Sequence, residues 1–430
     1  MPPLMQFLRH LFHRSKPQPV DNGDEVWLLD NVAFRPQPQQ QQQQQQPQPQ
    51  QQTVGRWRAE YVAAFFDDNH VVREKIVAAV ADIMQILNIG PDDDVTEKRI
   101  EERVAPFVRQ IGLHKIVNVQ YEGDREVLEL GSSGDNGISS TVLDIPLGVQ
   151  THPGEVRKMN VVRSQRESPD QHSDTAHLET GKTFFVEDGG WGVISDIDDT
   201  IKITEVRDRI KIIRNTFTKE AAPVPGMSDL YKQLHDVLST QNNPAPFFYL
   251  SASPYNLYPF LREFVLKTGF PQGMIILRDM SWMALESFIV SLTYGTQTYK
   301  EDRMRKISTW LPKTKWICIG DSTQTDPEAY ATFYKELAKA GNEGRVAHIW
   351  IHKVVGVNPS AEKDLNAPKR FEKAFKGIDS SVWKVFESAS ELNAELEALK
   401  KEVHPQGQPQ PAASTHGGGW WRSWSHREQH

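Results

Sequence analysis

The 430-residue chain has one cysteine, Cys318, so it can neither close an intrachain disulfide nor build a cysteine-rich zinc site. A reducing compartment is the expectation. The sequence also lacks any apolar run of about 18 residues, the length needed for a helix to cross a bilayer. Residues 1–14 lack the unbroken apolar stretch of a secretion signal. Membrane contact is therefore expected to be peripheral and the location cytoplasmic. An excess of positive charge is missing too: 49 Lys+Arg stand against 56 Asp+Glu, a net charge of −7, which argues against a general nucleic-acid binder. The histidines are scattered, with no spacing that reads as a metal site.

What is abundant is Gln and Pro at the two ends. Residues 36–52 are almost wholly Gln and Pro, with an unbroken Gln tract at 39–46, and the mean hydropathy of the chain is low at −0.54. Such a segment cannot bury enough apolar surface to offset the entropy of ordering it. Residues 1–54 and 403–430 are expected to be disordered tails. Two tail features suit a membrane surface or a partner: the apolar face of Met5, Leu8, Leu11 and Phe12 beside Arg9 and Arg14, and the cluster Trp420, Trp421, Arg422 and Trp424. The bland readings are a frayed terminus and an unstructured tail. Pro-x-Pro steps recur in the tails without the Pro-x-x-Pro spacing of SH3 ligands.

Between the tails two regions are expected. Residues 55–186 read as a helical segment followed by a small antiparallel β domain: helical periodicity over 57–87, a second helix after Thr96 ended by Pro106 near Ala105, then short β-like runs from 115 to 185 separated by turn residues. Residues 187–402 change rhythm to apolar strand-length runs alternating with helices, which predicts a parallel sheet covered on both faces. Its strands are placed at 192–195, 247–250, 274–277, 316–319 and 346–351, and its last helix, bearing Leu392, Leu396 and Leu399, ends near Lys401. Cys318 falls inside one of these strands and reads as core.

In open parallel sheets, ligands bind beyond the carboxyl ends of the strands. There the sequence places Asp196, Asp198 and Thr200 after the first strand, Ser251 after the second, and Asp321 with Asp326 after the fourth; Lys300 opens the helical stretch upstream of that strand. Carboxylates converging from different strand ends repel one another unless a cation lies between them, and an all-oxygen set without His or Cys suits Mg²⁺. A metal and an ammonium group together can bind a phosphoryl group, while one carboxylate attacks phosphorus and a second moves protons.

Asp196, Asp198 and Thr200 match the D-x-D-x-T motif, and with Ser251, Lys300, Asp321 and Asp326 the chain resembles the haloacid dehalogenase-like phosphatases in all four motifs, in order. The resemblance implies a Rossmannoid parallel sheet with a minimal cap. It assigns Asp196 as nucleophile, Asp198 as general acid/base, Thr200 as loop support, Ser251 as phosphate holder, Lys300 as compensating charge, and Asp196, Asp198, Asp321 and Asp326 as the metal site. The stretches GVISDIDDTIK, FFYLSASPYNLYPFL and ICIGDSTQTDPEAY resemble more closely the catalytic domain of the fungal actin-patch-associated phosphatidate phosphatases, distant relatives of the lipins. Residues 26–34 and the β region resemble that family's N-terminal part more weakly.

This family implies Mg²⁺-dependent hydrolysis of phosphatidate to diacylglycerol and phosphate, a chain peripheral to membranes, and cortical actin-patch proteins as partners, with no nucleic acid. The competing readings are a phosphatase of phosphoproteins or soluble phosphomonoesters, and an actin-patch adaptor. Residue by residue, alternatives stay open. Asp199 reads as a helix-start acid rather than a catalyst. Ser253 competes with Ser251, Lys306 and Lys313 compete with Lys300, and Asp326 before Pro327 has an N-cap role as its structural alternative. No interval between motifs is long enough for a separate cap domain, which predicts an open site suited to phosphate on a bulky carrier.

Overall fold

The computed structural model describes residues 16–21, 23–36, 55–67, 73–89, 94–149, 151–163, 176–240, 243–278 and 296–404. Residues 5–12, the Gln tract and residues 420–424, which carry the expectation of membrane or partner contact, lie outside the described residues.

Among those described, ten strands precede residue 187: β1 (Gln18–Pro19), β2 (Glu25–Leu28), β3 (Asn31–Phe34), β4 (Arg58–Phe66), β5 (Lys115–Ile116), β6 (Asn118–Tyr121), β7 (Val127–Glu129), β8 (Ile138–Asp144), β9 (Val156–Val162) and β10 (Thr180–Phe185). β1 pairs with β5; the others form one eight-stranded sheet in the order β2-β4-β3-β10-β9-β6-β7, with β8 running along β4. The pairings within this sheet are antiparallel except β3 with β10. Helices α1 (Arg73–Leu87) and α2 (Asp94–Val108) lie between β4 and β5 in the chain.

Three expectations are corrected here. Residues 25–34 are not part of a disordered tail: Val26, Trp27, Leu28, Val32, Ala33 and Phe34 are buried strand residues, hidden in the sequence by the Gln/Pro tract that follows them. Residues 58–66 are a strand rather than the start of a helix. β4 is buried on both faces, so it lacks the alternation that marks a half-exposed strand. Helix α2 continues through Pro106 to Val108. Proline there costs one hydrogen bond in the last turn, and its carbonyl, left without a helical donor, accepts one from Asn256 Nδ2 at 3.0 Å.

The second sheet is built from β11 (Trp191–Asp196), β12 (Phe247–Pro254), β13 (Met274–Arg278), β14 (Lys315–Asp321), β15 (Val346–His352) and β16 (Trp383–Phe386). All are parallel, in the order β13-β12-β11-β14-β15-β16. The first five are the expected strands. β16 was not anticipated, being short and mostly half-buried. The connecting helices are α3 (Arg209–Ile213), α4 (Met227–Leu238), α5 (Tyr258–Lys267), α6 (Thr296–Trp310), α7 (Asp326–Lys339), α8 (Pro359–Leu365), α9 (Pro368–Ala374) and α10 (Asn393–Val403).

Period-two alternation divides these strands between two cores. Val193, Phe247, Tyr249 and Ile317 pack with α4, α5 and α10 on one face; Ile194, Phe248, Leu250 and Cys318 pack with α6 and α7 on the other. The N-terminal sheet joins both cores, Trp27 and Phe66 entering the first and Val32, Phe34 and Phe184 the second. Phe34 stacks on Trp310 with ring centroids 5.3 Å apart, and Arg262 of α5 grips Asp30 through two hydrogen bonds of 3.1 and 3.2 Å. The result is an α/β fold with a Rossmannoid parallel sheet, braced by a mixed sheet and two helices. Among the described residues no helix is long and apolar enough to cross a membrane.

Candidate active site

β11 lies at the middle of the parallel sheet between β12 and β14, so the chain leaving its carboxyl end meets the loops that follow both neighbours. The turn after Asp196 is tight. Asp199 takes the left-handed conformation, φ 59°, unusual for a residue with a Cβ, and its backbone N–H donates to Lys202 O at 2.7 Å. Its carboxylate accepts from the backbone N–H groups of Thr204, Glu205 and Val206 at 2.6–2.8 Å. Asp199 is thus a structural residue, as expected, but it ties a loop rather than starting a helix; α3 begins later, capped by Asp208.

Asp196, Asp321 and Asp326 converge on one point: each offers a carboxylate oxygen, and the three oxygens lie within 4.8 Å of one another. All three side chains are buried. Lys300 Nζ reaches Asp196 Oδ1 at 2.7 Å and also bonds Asp326 Oδ1. Thr200 Oγ1 donates to Asp196 Oδ2 at 3.0 Å. Asp326 Oδ2 accepts the Asp321 backbone N–H at 3.0 Å, which draws the start of α7 against the end of β14. That approach needs Gly320, because a Cβ there would stand 2.5 Å from Asp326 Oδ2. Asp326 therefore sits in the first turn of α7 without capping it, and its side chain belongs to the acid cluster.

The charges of this cluster do not balance. Burial pushes the Asp196 carboxyl well up, against the opposing pull of Lys300, and Asp326 and Asp198 push it further. Burial raises Asp321 likewise, with Asp326 and Asp196 adding to the effect. Burial alone would lower the Lys300 pKa, yet the surrounding carboxylates outweigh it, raise the pKa and hold the ammonium form. Three carboxylates around one ammonium leave a charge deficit that a hard divalent cation fits. Asp321 Oδ2 supports that fit, being buried without a hydrogen-bond partner.

Asp198 has different company. Its carboxylate accepts from Ser251 Oγ at 2.7 Å, Thr204 Oγ1 at 2.7 Å and Ser253 Oγ at 3.4 Å, with Lys202 Nζ at 3.3 Å. Burial would raise its pKa, but Lys202 first and the hydroxyls next outweigh burial and hold it below the usual carboxylate range. Asp198 is not among the three carboxylates that converge, although the sequence had placed it with the metal site as well as in acid/base chemistry. The competition between Ser251 and Ser253 resolves into cooperation, since both hydroxyls face Asp198 and Ser251 Oγ accepts the Ser253 N–H at 3.0 Å. Lys306 instead pairs with Glu60, and Lys313 is exposed, so Lys300 is the lysine of the cluster.

Sequence reasoning missed Lys202 and Thr204, buried polar residues four and six positions beyond Asp198. The available signal was a lysine inside an otherwise apolar stretch next to an acid motif. It also missed Arg370, which donates to the carbonyls of Ser322 and Gln324 and so fixes the loop between Asp321 and Asp326.

A central parallel strand ends in two acids, one joined to a lysine and two further acids and the other to hydroxyls, an arrangement of the kind that phosphoryl transfer needs. Residues 191–353 match the family described as the phosphatidate phosphatase APP1 catalytic domain. Over 157 residues the chain is 36% identical to the phosphatidate phosphatase APP1 of Saccharomyces cerevisiae. That match covers 36% of this chain and 25% of the yeast protein.

Proposed function

We propose that the protein is a Mg²⁺-dependent phosphatidate phosphatase that works at a cytoplasmic membrane surface through an aspartyl-phosphate. The observation that carries this reading is the convergence of Asp196, Asp321 and Asp326 around Lys300, directly beside the separately wired Asp198. The yeast relative's name supplies the substrate. Asp196, Asp321 and Asp326 would hold Mg²⁺, which when bound neutralises charge on the phosphoryl oxygens.

Asp196 attacks phosphorus as a carboxylate, and Thr200 and Lys300 hold its two oxygens for that attack. As the bond to the glycerol oxygen breaks, Asp198 protonates the departing alkoxide; it then removes a proton from the water that hydrolyses the acyl phosphate. Held below the usual carboxylate range, Asp198 is in the deprotonated form that the second role needs. For the first, Ser251 provides a switch: once its hydroxyl turns from Asp198 to a phosphate oxygen, Asp198 loses a stabilising donor and gains an adjacent anion, and both changes favour its protonated form.

The test is phosphate release from phosphatidate in mixed micelles, with and without Mg²⁺, beside a soluble phosphomonoester and a phosphopeptide. Preference for phosphatidate that disappears with EDTA is the expected result. Equal or better hydrolysis of the phosphopeptide would move the assignment to phosphoproteins.

A further inference from the structure

The loop 322–325, which joins Asp321 to Asp326, is held by arginines at three successive carbonyls. Arg370 takes those of Ser322 and Gln324. The carbonyl between them, Thr323 O, accepts from the Arg207 guanidinium. Thr323 in turn donates both its backbone N–H and its hydroxyl to Asp321 Oδ1. One oxygen of Asp321 is therefore occupied twice, while the other, Oδ2, is buried without a hydrogen bond. In the proposed function Oδ2 is the oxygen left for the cation.

Arg207 reaches this loop from a different strand end. It follows β11, directly after the residues whose backbone N–H groups the Asp199 carboxylate gathers. Its own carbonyl accepts from Asn358 Nδ2 at 3.2 Å, and the next residue, Asp208, caps α3. The backbone is thus fixed on both sides of the arginine. Arg370 has a second partner in Glu328, which it grips through two bonds of 3.0 Å. Arg207 differs: among the described residues its guanidinium pairs with no carboxylate, and its Nε is buried without a hydrogen bond. Burial lowers its pKa, Asp321 is the largest influence opposing that, and Arg370 lowers it further. A buried donor without a partner costs the fold stability. The bond that Arg207 does make falls on the residue that orients Asp321.

We propose that Arg207 is a positioning residue for the metal site: acting through Thr323, it fixes the Asp321 carboxylate so that Oδ1 is taken and Oδ2 is left to the cation. The inference rests on the metal site of the proposed function. Groups that hold a metal ligand from behind govern its affinity, because they set the orientation in which the ligand waits for the ion. Without the Arg207 donor the Thr323 backbone slackens, and Asp321 Oδ1 loses the two bonds that hold it. The same bond ties the segment after β11, which carries Lys202 and Thr204, to the loop between Asp321 and Asp326. The partners of Asp198 and the acids of the metal site are thereby held in one frame.

The test uses the full chain freed of metal, with Mn²⁺ standing in for Mg²⁺, since both suit octahedral oxygen sites. Free Mn²⁺ is counted by electron paramagnetic resonance in the absence of substrate, so the readout does not depend on turnover. Arg207→Met should raise the Kd for Mn²⁺ roughly 10- to 100-fold. Arg207→Lys, which keeps a cationic donor, and Thr323→Val, which deletes the hydroxyl but keeps the N–H, should each raise it less. Circular dichroism melting of the metal-free chains checks the fold. Phosphatidate hydrolysis should divide in the same way: activity lost at low Mg²⁺ returns as Mg²⁺ is raised, and KM for phosphatidate stays parental. An unaltered Kd in folded Arg207→Met overturns the inference. A raised KM with metal affinity kept also overturns it, making Arg207 a substrate contact instead. Should Arg207→Met not fold, Thr323→Val decides alone, and an unaltered Kd there overturns the inference. A parental chain whose Mn²⁺ binding survives Asp321→Asn would instead overturn the metal site of the proposed function, taking the inference with it, so the two failures are separable.

Discussion

Asp196 and Asp198 stand two residues apart at one strand end, with 1% and 2% of their surfaces exposed, and the fold meets the same burial in opposite ways. Around Asp196 it gathers further carboxylates and a single ammonium, leaving a site short of positive charge. Around Asp198 it gathers an ammonium and three hydroxyls, leaving a carboxylate fully satisfied without any further ion. Sequence spacing cannot set this difference. It comes from which neighbouring strand each side faces: the end of β14 and the start of α7 supply acids, and the end of β12 supplies serines. In the proposed function, one strand end would thereby hold a metal-dependent nucleophile beside an independent proton carrier.

Substitutions can break this contrast, in descending order of effect. Asp196→Asn should lower phosphatidate turnover by at least about 10⁴-fold, since the amide cannot form the acyl phosphate, while thermal unfolding stays near parental. Asp198→Asn should cost roughly 100- to 10,000-fold in kcat through loss of proton transfer, with Mg²⁺ affinity nearly kept because Asp198 is outside the converging carboxylates. A large loss of Mg²⁺ affinity in that variant would erase the distinction drawn between the two aspartates. Gly320→Ala should weaken Mg²⁺ binding by roughly 10- to 100-fold, measured by titrating activity against the ion, because the added methyl displaces Asp326. Lys202→Met sharpens the contrast most gently. Lys202 is what chiefly holds Asp198 low, so its removal raises that pKa, and the acid-side limb of the kcat profile should move to higher pH. An unmoved limb would show that Lys202 does not set the protonation of Asp198.

The parallel sheet was legible because its buried strands are continuous apolar runs that stop abruptly at acids, serines and glycine. The candidate site residues stood out for the same reason: Ser251 follows such a run directly, and Asp196 and Asp321 follow one after a single small residue. The N-terminal sheet was much less legible. β4 carries no alternation, β2 and β3 abut a Gln/Pro tract that dominates any window average, and β9, with Arg157, Lys158 and Asn160, reads as polar although Met159 is buried. Within the site, the grouping of the acids was hidden. Lys202 and Thr204 join Asp198 only through the tight turn that Asp199 permits at positive φ, and Asp326 reaches Asp321 only because Gly320 lacks a side chain. Both are backbone events that no residue spacing encodes.

The central claim is that Asp196 takes up the phosphoryl group while Asp198 moves protons. Rapid acid quench of the full chain turning over phosphatidate labelled with ³²P in the headgroup, followed by peptide mapping, tests it most directly. The account predicts ³²P on the peptide containing Asp196, chased by unlabelled substrate and absent from Asp196→Asn. Label carried on any other residue, or retained in Asp196→Asn, would contradict it.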